Sequence, residues 1–277
     1  MPKESFEQFI KRQKEKLDKA EKIVEGVKKK WKEKLEEFEM VEKSVDELKR
    51  VWEENEGEVR KRVTLSEIFS FFLSLPLPEV PPFLLEKISN KFLKEFDWKK
   101  FKERQYIETD LGLFLSVFLR KNIENYISSQ KRKGIKEENI KPIEVHLNIK
   151  ELPISLNFLG YQNPQKLHLT VEGNLGRDTG AEMEGGEIIV EGNCGAMTGE
   201  VMKGGKIVVK GNCGSYAGSG MEDGILILEG EVKSFSGSAF SSNNKGTIIW
   251  KDTKIWENGN WTEEGKEMYK KGEIPIF

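Results

Sequence analysis

The sequence predicts an α+β protein of two domains, an N-terminal α-helical domain and a C-terminal single-stranded, right-handed parallel β-helix with turns of 19 residues. Three observations lead to this prediction: a proline-free N-terminal segment with a heptad pattern, a short proline-rich break between helical patterns, and a glycine-rich repeat of constant length. We place the helical domain at 1–133, a lysine-rich linker at 134–142 and the β-helix at 143–277, with regular repeats at about 166–231.

The first predicted element is a coiled-coil-like helix at about residues 4–56. One heptad position is apolar throughout and is occupied by Ile10, Leu17, Val24, Trp31, Phe38, Val45 and Trp52. A second row holds Ala20, Val27, Val41 and Leu48 and is interrupted by Gln13 and Lys34. A helix of this length exceeds the diameter of a small domain, so a partner chain or a second helix must cover its stripe. Bulky side chains such as Trp31 fit poorly in a parallel dimer, which leaves packing against other helices as the competing arrangement.

A helical bundle is predicted for residues 64–131. Thr64 and Glu67 have the spacing of a capping box, and the prolines of segment 75–82 exclude a helix there. A helix is expected at about 83–96, and another begins near Asp110. Because the first half of that last helix is apolar on most sides, we expect it to lie at the centre of the bundle.

Beyond Pro142 the apolar residues alternate as in strands, and the pattern then repeats every 19 residues. The repeat positions are Gly173, Asn174, Gly176, Gly180, Met183, Gly192, Asn193, Gly195, Gly199, Met202, Gly211, Asn212, Gly214, Gly218, Met221 and Gly230. In a parallel β-helix each position stacks on its copy one turn away, about 4.8 Å along the axis. Glycines are expected at corners where a side chain would collide with that copy, methionines in the core, and asparagines in a hydrogen-bonded ladder. The pattern continues downstream to Trp250 if three residues are inserted after Phe240.

This pattern resembles the GXGXG domain found at the end of the glutamate synthase large subunit and in one of the subunits of formylmethanofuran dehydrogenase. The resemblance covers roughly 166–231, and 143–256 if the irregular ends belong to it. It implies a right-handed β-helix that contacts catalytic neighbours and carries no chemistry of its own. The helical region before residue 130 is not part of the pattern.

The cysteines and histidines offer few catalytic possibilities. Cys194 and Cys213 occupy equivalent places in neighbouring turns. We expect them to fill an inward corner as small apolar groups; a disulfide between them and a redox or metal role are the alternatives. His146 and His168 sit on the polar faces of strands, which favours structural roles over catalysis or metal binding. No catalytic, cofactor-binding or metal-ligating residue is predicted.

The glycines of segment 173–180 are superficially similar to a dinucleotide-binding loop, but a strand pattern follows them where such a loop requires a helix. Departures from the repeat are better pointers to function. Arg177 and Asp178 occupy one corner, where the later turns carry other residues, Tyr216 among them. These three residues are possible contacts with a partner or ligand, and surface variability without function is the alternative.

Composition excludes several classes of partner. Among 277 residues, 45 Lys and Arg stand against 47 Asp and Glu, so no basic excess points to nucleic acid. Lysine and glutamate dominate the charges, as in proteins from hot habitats. No apolar core follows Met1, and the most apolar run, 69–77, is about half as long as a membrane span. We therefore expect a soluble, cytoplasmic protein without a membrane or nucleic-acid partner.

The predicted function is non-catalytic. Residue 2 is proline, so the nucleophile of an N-terminal glutaminase is absent, and no flavin, iron–sulfur or other cofactor site is recognisable. We expect a scaffold or assembly protein whose helices bind copies of the chain or a protein partner, while the β-helix provides a rigid docking face. The alternative is an accessory subunit of an oxidoreductase complex similar to glutamate synthase or formylmethanofuran dehydrogenase. A less favoured class is an enzyme with a site in the cleft between helices and β-helix.

Overall fold

The structure is a computed structural model that describes residues 6–59, 61–62, 64–101 and 106–277, without the side chains of 6–13, 16, 17, 20 and 101. The stripe positions Ile10, Leu17 and Ala20, with Gln13, therefore lie outside the described side chains. The chain divides into two compact units, Met1–Ser44 and Val45–Phe277. The predicted α+β layout, with a helical N-terminal region and a C-terminal parallel β-solenoid, is confirmed.

The elements follow in a simple order. The helices are α1 Phe6–Val59, α2 Leu65–Ser74, α3 Leu85–Glu95, α4 Trp98–Phe101, α5 Ile107–Arg132 and α6 Glu263–Lys270. The strands are β1 Ile143–Asn148, β2 Leu167–Glu172, β3 Glu187–Val190, β4 Lys203–Val209, β5 Asp223–Leu228, β6 Thr247–Trp250, β7 Thr253–Glu257 and β8 Asn260–Trp261.

The end of α1 is part of a helical core in the second unit. Val45, Leu48 and Trp52 are buried. The Trp52 ring lies 5.3–6.3 Å from the rings of Phe72, Phe96 and Phe114, measured between ring centres. Other helices of the same chain therefore cover this part of the stripe, as one of the two predicted arrangements required. The helix passes through the expected end near residue 56 and finishes at Val59.

The remaining helices are positioned by local signals that the sequence carries. At the start of α2, Thr64 Oγ1 accepts a hydrogen bond from the Glu67 amide at 3.2 Å, and the Glu67 carboxylate accepts one from the Thr64 amide at 3.0 Å. This confirms the capping box. Helix α5 begins at Ile107, before the expected Asp110, and its residues from Leu111 to Leu119 are all buried. It is the central helix of this part of the molecule.

The solenoid sheet contains eight strands in sequence order, of which β1 to β6 are parallel and β7 and β8 are antiparallel additions. Leu169, Ile188, Ile207 and Leu226 are successive register partners, which confirms the 19-residue period. Leu226 then pairs with Ile248, so the last parallel turn carries the three-residue insertion that the sequence indicated.

The corners that follow β1, β2, β3 and β4 carry residues of positive φ at every second position. In one turn, Asp178, Gly180 and Glu182 have φ of 59°, 66° and 51°. The amide of Asp178 donates to Ala196 in the following turn at 2.8 Å, and that of Gly180 donates to Leu159 in the preceding turn at 3.0 Å. Backbone hydrogen bonding thus continues in both directions through a corner that contains no strand.

The repeated side chains have the roles that a stacked coil requires. Met183, Met202 and Met221 are buried in the solenoid core. The asparagine ladder forms from side chain to backbone, because Asn174 Oδ1 accepts from the Asn193 amide at 2.9 Å and Asn193 Oδ1 from the Asn212 amide at 2.7 Å. It does not run between side-chain amides.

Helical side chains close the N-terminal end of the solenoid. Asn90 of α3 donates to the His146 carbonyl at 2.6 Å and accepts from the Asn148 amide at 2.8 Å, so it pairs with the free edge of β1. The Ser116 hydroxyl of α5 accepts a hydrogen bond from the Gly160 amide at 3.0 Å. In later turns, the equivalent glycine amide donates to a backbone carbonyl of the preceding turn. The first turn therefore has no open strand edge at these positions.

Candidate interaction surfaces

The first unit carries an exposed apolar surface on α1. We call it the α1 stripe, and its residues are Ile23, Val24, Val27, Trp31, Leu35 and Phe38. Trp31 is 70 % exposed and Phe38 60 %. At about 100° per residue, all six side chains fall within an arc of about 120°. Large exposed apolar patches mark interaction sites, so the stripe is the first candidate surface.

The second candidate is the solenoid corner at Arg177 and Asp178. Arg177 is half-exposed, and its Nε donates to Asp178 Oδ2 at 2.5 Å. The Asp178 side chain is buried, and a direct contact between it and a partner stays a prediction. Of the pair, Arg177 is the one available at the surface.

A second carboxyl group, that of Glu200 in the following turn, interacts with Asp178. Burial raises the pKa of the Asp178 carboxyl, and the adjacent Arg177 only partly offsets this. Burial and the Asp178 carboxyl raise the pKa of Glu200 as well. Asp178 Oδ1 has no fixed donor in the described part of the chain, and the Glu200 carboxyl can supply one when it is protonated. The two carboxyl groups therefore favour a state in which they share a proton.

A neighbouring polar group surrounds Glu182. Its carboxylate accepts from the Tyr161 hydroxyl at 2.7 Å and from Lys203 Nζ at 3.1 Å. Burial opposes ionisation of Glu182, but these donors and Gln162 outweigh it and lower the pKa. Burial and the same hydrogen bond raise the pKa of Tyr161. Each polar group here has a partner, so the cluster ties adjacent turns together.

Tyr216 occupies the position of Asp178 two turns later. Its φ is 61°, like the 59° of Asp178, and its ring packs edge-on against Phe277 with 5.6 Å between ring centres. The predicted contact residue is therefore covered in part by the end of the same chain.

Residues 120–257 match the GXGXG motif family. The chain carries a GXGXG-type domain. The match begins within α5 and ends with β7, so it extends beyond the regular repeats. No curated protein and no solved structure matches the chain.

The cysteines of the GXGXG domain are packing residues in this structure. Cys194 and Cys213 are both buried and both carry free thiols. Their backbones pair as an isolated parallel β-bridge between adjacent turns. Burial raises the pKa of both thiols, which keeps them protonated and poorly nucleophilic.

The histidines lie where the sequence placed them, on polar faces. His146 is exposed on β1, and His168 Nδ1 lies 3.1 Å from the Glu144 carboxylate on the neighbouring strand. Within the described residues, no group of three histidine, cysteine or acidic side chains could hold a metal ion. The helices in the described ranges are also too short or too polar to cross a bilayer.

A cleft of about 460 Å³ opens between α3, the start of α4 and the end of β1. Its lining residues are Asn90, Leu93, Lys94, Trp98, Asn148, Lys150, Glu151 and Leu152. They include no cysteine, histidine or serine, and Lys150 is engaged with Glu172 at 2.8 Å.

Sequence reasoning missed Glu200. It stands where the adjacent repeats have Ala181 and Ser219, so the criterion that selected Arg177 and Asp178, departure from the repeat, would have selected it too. What the sequence could not provide was the proximity of its side chain to Asp178 in another turn.

Proposed function

We propose that this protein is a non-catalytic scaffold or assembly protein of the cytoplasm. Its α1 helix associates with copies of the chain or with a protein partner, and its GXGXG solenoid serves as a rigid docking face. No cofactor, metal, membrane or nucleic acid enters this proposal.

The observation that carries the proposal is the α1 stripe. Six apolar side chains on one face of a helix are exposed in the first unit. In proteins, helices gain most of their stability from packing an apolar face against other segments. Association would bury the stripe and supply that packing.

The solenoid supports the docking role through its rigidity. Ion pairs join neighbouring turns on its surface, as between Lys206 and Glu187 and between Lys210 and Glu191, each at 2.8 Å. The Asn174 and Asn193 side chains bond the backbone of the next turn. The solenoid surface is therefore preformed, so binding a partner would cost little conformational entropy. At the solenoid corner formed by Arg177 and Asp178, Arg177 is the exposed residue that such a partner could bind.

The test uses the full-length chain with Trp31→Ser and Phe38→Ser combined, since these are the largest side chains of the stripe. The wild type is expected to form an assembly whose mass depends on concentration, and the variant to have the mass of a smaller species in light scattering. Phe83→Ser is the matched control, because Phe83 is 70 % exposed outside the stripe. Equal masses for the stripe variant and the wild type, with the same partners retained, would refute the proposal.

The family match favours a second candidate, an accessory subunit of an oxidoreductase complex similar to glutamate synthase or formylmethanofuran dehydrogenase. Here the solenoid would contact a catalytic neighbour. Purification of the tagged chain from its native host, followed by absorbance spectroscopy, tests this. A stoichiometric flavoprotein or iron–sulfur partner would favour the accessory subunit over the independent scaffold.

A further inference from the structure

The charges beside the α1 stripe are sorted by sign along the helix. Residues 28–32 contain four lysines and no acid, and residues 36–42 contain four glutamates and no base. Every side chain from 21 to 40 is exposed or half-exposed. The two blocks thus form oppositely charged halves of one accessible surface.

The flanking charges also occupy defined edges of the stripe. At about 100° per residue, Lys28 and Glu39 lie along one edge, and Lys30 and Glu37 lie along the other. Between residues 28 and 39, each edge therefore carries a lysine towards the N-terminus and a glutamate towards the C-terminus.

The relative direction of two such helices decides which charges meet. In a parallel, in-register pair, opposite edges face each other. Lys28 would then meet the partner's Lys30, and Glu37 would meet the partner's Glu39. In an antiparallel pair equal edges meet, so Lys28 faces the partner's Glu39 and Lys30 faces the partner's Glu37. For these four flanking charges, the first arrangement sets like charges together and the second sets opposite charges together.

Both antiparallel ion pairs require the same alignment. The midpoint between Lys28 and Glu39 along the helix coincides with the midpoint between Lys30 and Glu37, and both fall between residues 33 and 34. One crossing point therefore satisfies both edges. Two-fold symmetry then produces each pair twice.

We propose that the α1 stripe binds the α1 stripe of a second copy of this chain in an antiparallel two-helix pair that crosses between Glu33 and Lys34. This inference rests on the self-association in the proposed function and names its partner and direction. The stripe supplies the affinity, and the flanking charges select the orientation. Phe38 then lies at the level of the partner's residue 29, between the partner's Val27 and the partner's Trp31. In a parallel pair each aromatic residue would face its own copy, and in this antiparallel pair it does not.

Charge reversal in the full-length protein tests the pairing. Lys28→Glu with Lys30→Glu makes both edges acidic, and Glu37→Lys with Glu39→Lys makes both edges basic. Each double variant is expected to raise the dimer dissociation constant at least about tenfold at low ionic strength, measured by sedimentation. The fourfold variant reverses both halves and is expected to return to within about threefold of the wild type. Doubles that dimerise like the wild type, or a fourfold variant no better than the doubles, would overturn the proposal.

Disulfide trapping separates direction from association. In the proposed pair, two Val27 residues lie about 20 Å apart, whereas two Lys34 residues lie beside the crossing point. Lys34→Cys should therefore form a covalent dimer on oxidation, and Val27→Cys should not. The wild type is the control, since Cys194 and Cys213 are buried. A covalent Val27→Cys dimer would overturn the antiparallel direction while leaving self-association standing. A monomer at every concentration would overturn self-association and leave the stripe to a different protein.

Discussion

At the scale of single residues, the repeat separates positions that the stack dictates from positions it leaves free. A Cβ atom at Gly192 would lie 2.3 Å from the carbonyl oxygen of Gly173 and 2.6 Å from Asn174 Oδ1. No side chain fits there, because the obstacle is the same backbone one turn away. Asp178 is different, since Met197 and Tyr216 adopt the same φ at equivalent corners. Its carboxyl group is compatible with the fold and is not required by it.

Gly192→Ala is expected to destabilise the protein by about 2–3 kcal/mol, the cost of overpacking a site bounded by backbone. Thermal or denaturant unfolding measures it. Gly57→Ala is the control, because Gly57 is helical and a Cβ atom added there would have no neighbour within 4 Å. That variant should be neutral or gain up to about 1 kcal/mol from helix propensity. Equal effects at the two sites would contradict the backbone collision.

Asp178→Asn is expected to change how stability depends on pH. The raised pKa values of Asp178 and Glu200 mean that the folded state holds protons more tightly than the unfolded state. Their contribution to the free energy of unfolding is therefore fully present below the ordinary carboxyl pKa of about 4. It is lost as pH rises through the raised pKa values. Asparagine cannot ionise, so the melting temperature of the variant relative to the wild type should rise from acid to neutral pH.

The control for that measurement is Glu229→Gln, which changes an exposed carboxylate of the same solenoid. Its melting temperature relative to the wild type should vary less with pH. If the Asp178→Asn difference is constant across this range, the two carboxyl groups do not share a proton.

At the scale of elements, the helices provide the solenoid with the hydrogen bonds that a preceding turn would otherwise supply. Asn90 and Ser116 do this from α3 and α5. At the other end, β7 and β8 pair antiparallel beyond β6, and the Phe277 amide donates to the Phe235 carbonyl at 2.9 Å. Both ends are thus closed by segments outside the regular repeats.

Asn90→Ala is expected to cost about 1–3 kcal/mol, because it leaves the β1 edge without its donor and acceptor. The Asn148 amide should lose protection in hydrogen exchange, since Asn90 Oδ1 is its acceptor. Lys94→Ala on the same helix is the control, because Lys94 is exposed. Unchanged exchange at Asn148 in the Asn90 variant would show that the edge is not held by this side chain.

At the scale of the whole molecule, the two units differ in what they bury. The second unit contains the helical core around Trp52 and the filled solenoid, whereas the first exposes the α1 stripe. Local stability should follow this difference, because few buried contacts mean easy opening.

Hydrogen exchange at several protein concentrations tests that expectation. Amides of residues 23–40 should exchange quickly in dilute protein and more slowly as concentration rises, because the proposed association would bury the stripe. Amides of β2 and β3 should be protected equally at every concentration and serve as the internal reference. Protection of 23–40 that does not depend on concentration would contradict association through the stripe.

The repeat made the solenoid predictable from sequence. A 19-residue period, stacked glycines and inward methionines leave few alternatives, because each position is constrained by its own copy. The insertion before Ile248 was predictable for the same reason, as it shifts every later match by the same amount. The Thr64 capping box was predictable because it is a local signal.

Contacts between segments without a shared period could not be derived in this way. Nothing local relates Asn90 to the edge of β1, because these two segments meet only when the helices pack against the solenoid. The heptad stripe of α1 is the clearest case, since Trp31 and Trp52 occupy equivalent positions in the sequence. The sequence by itself determined that apolar side chains form a stripe along this helix. Only the tertiary structure decided that the chain buries Trp52 and leaves Trp31 exposed, because burial depends on which other segments are within reach.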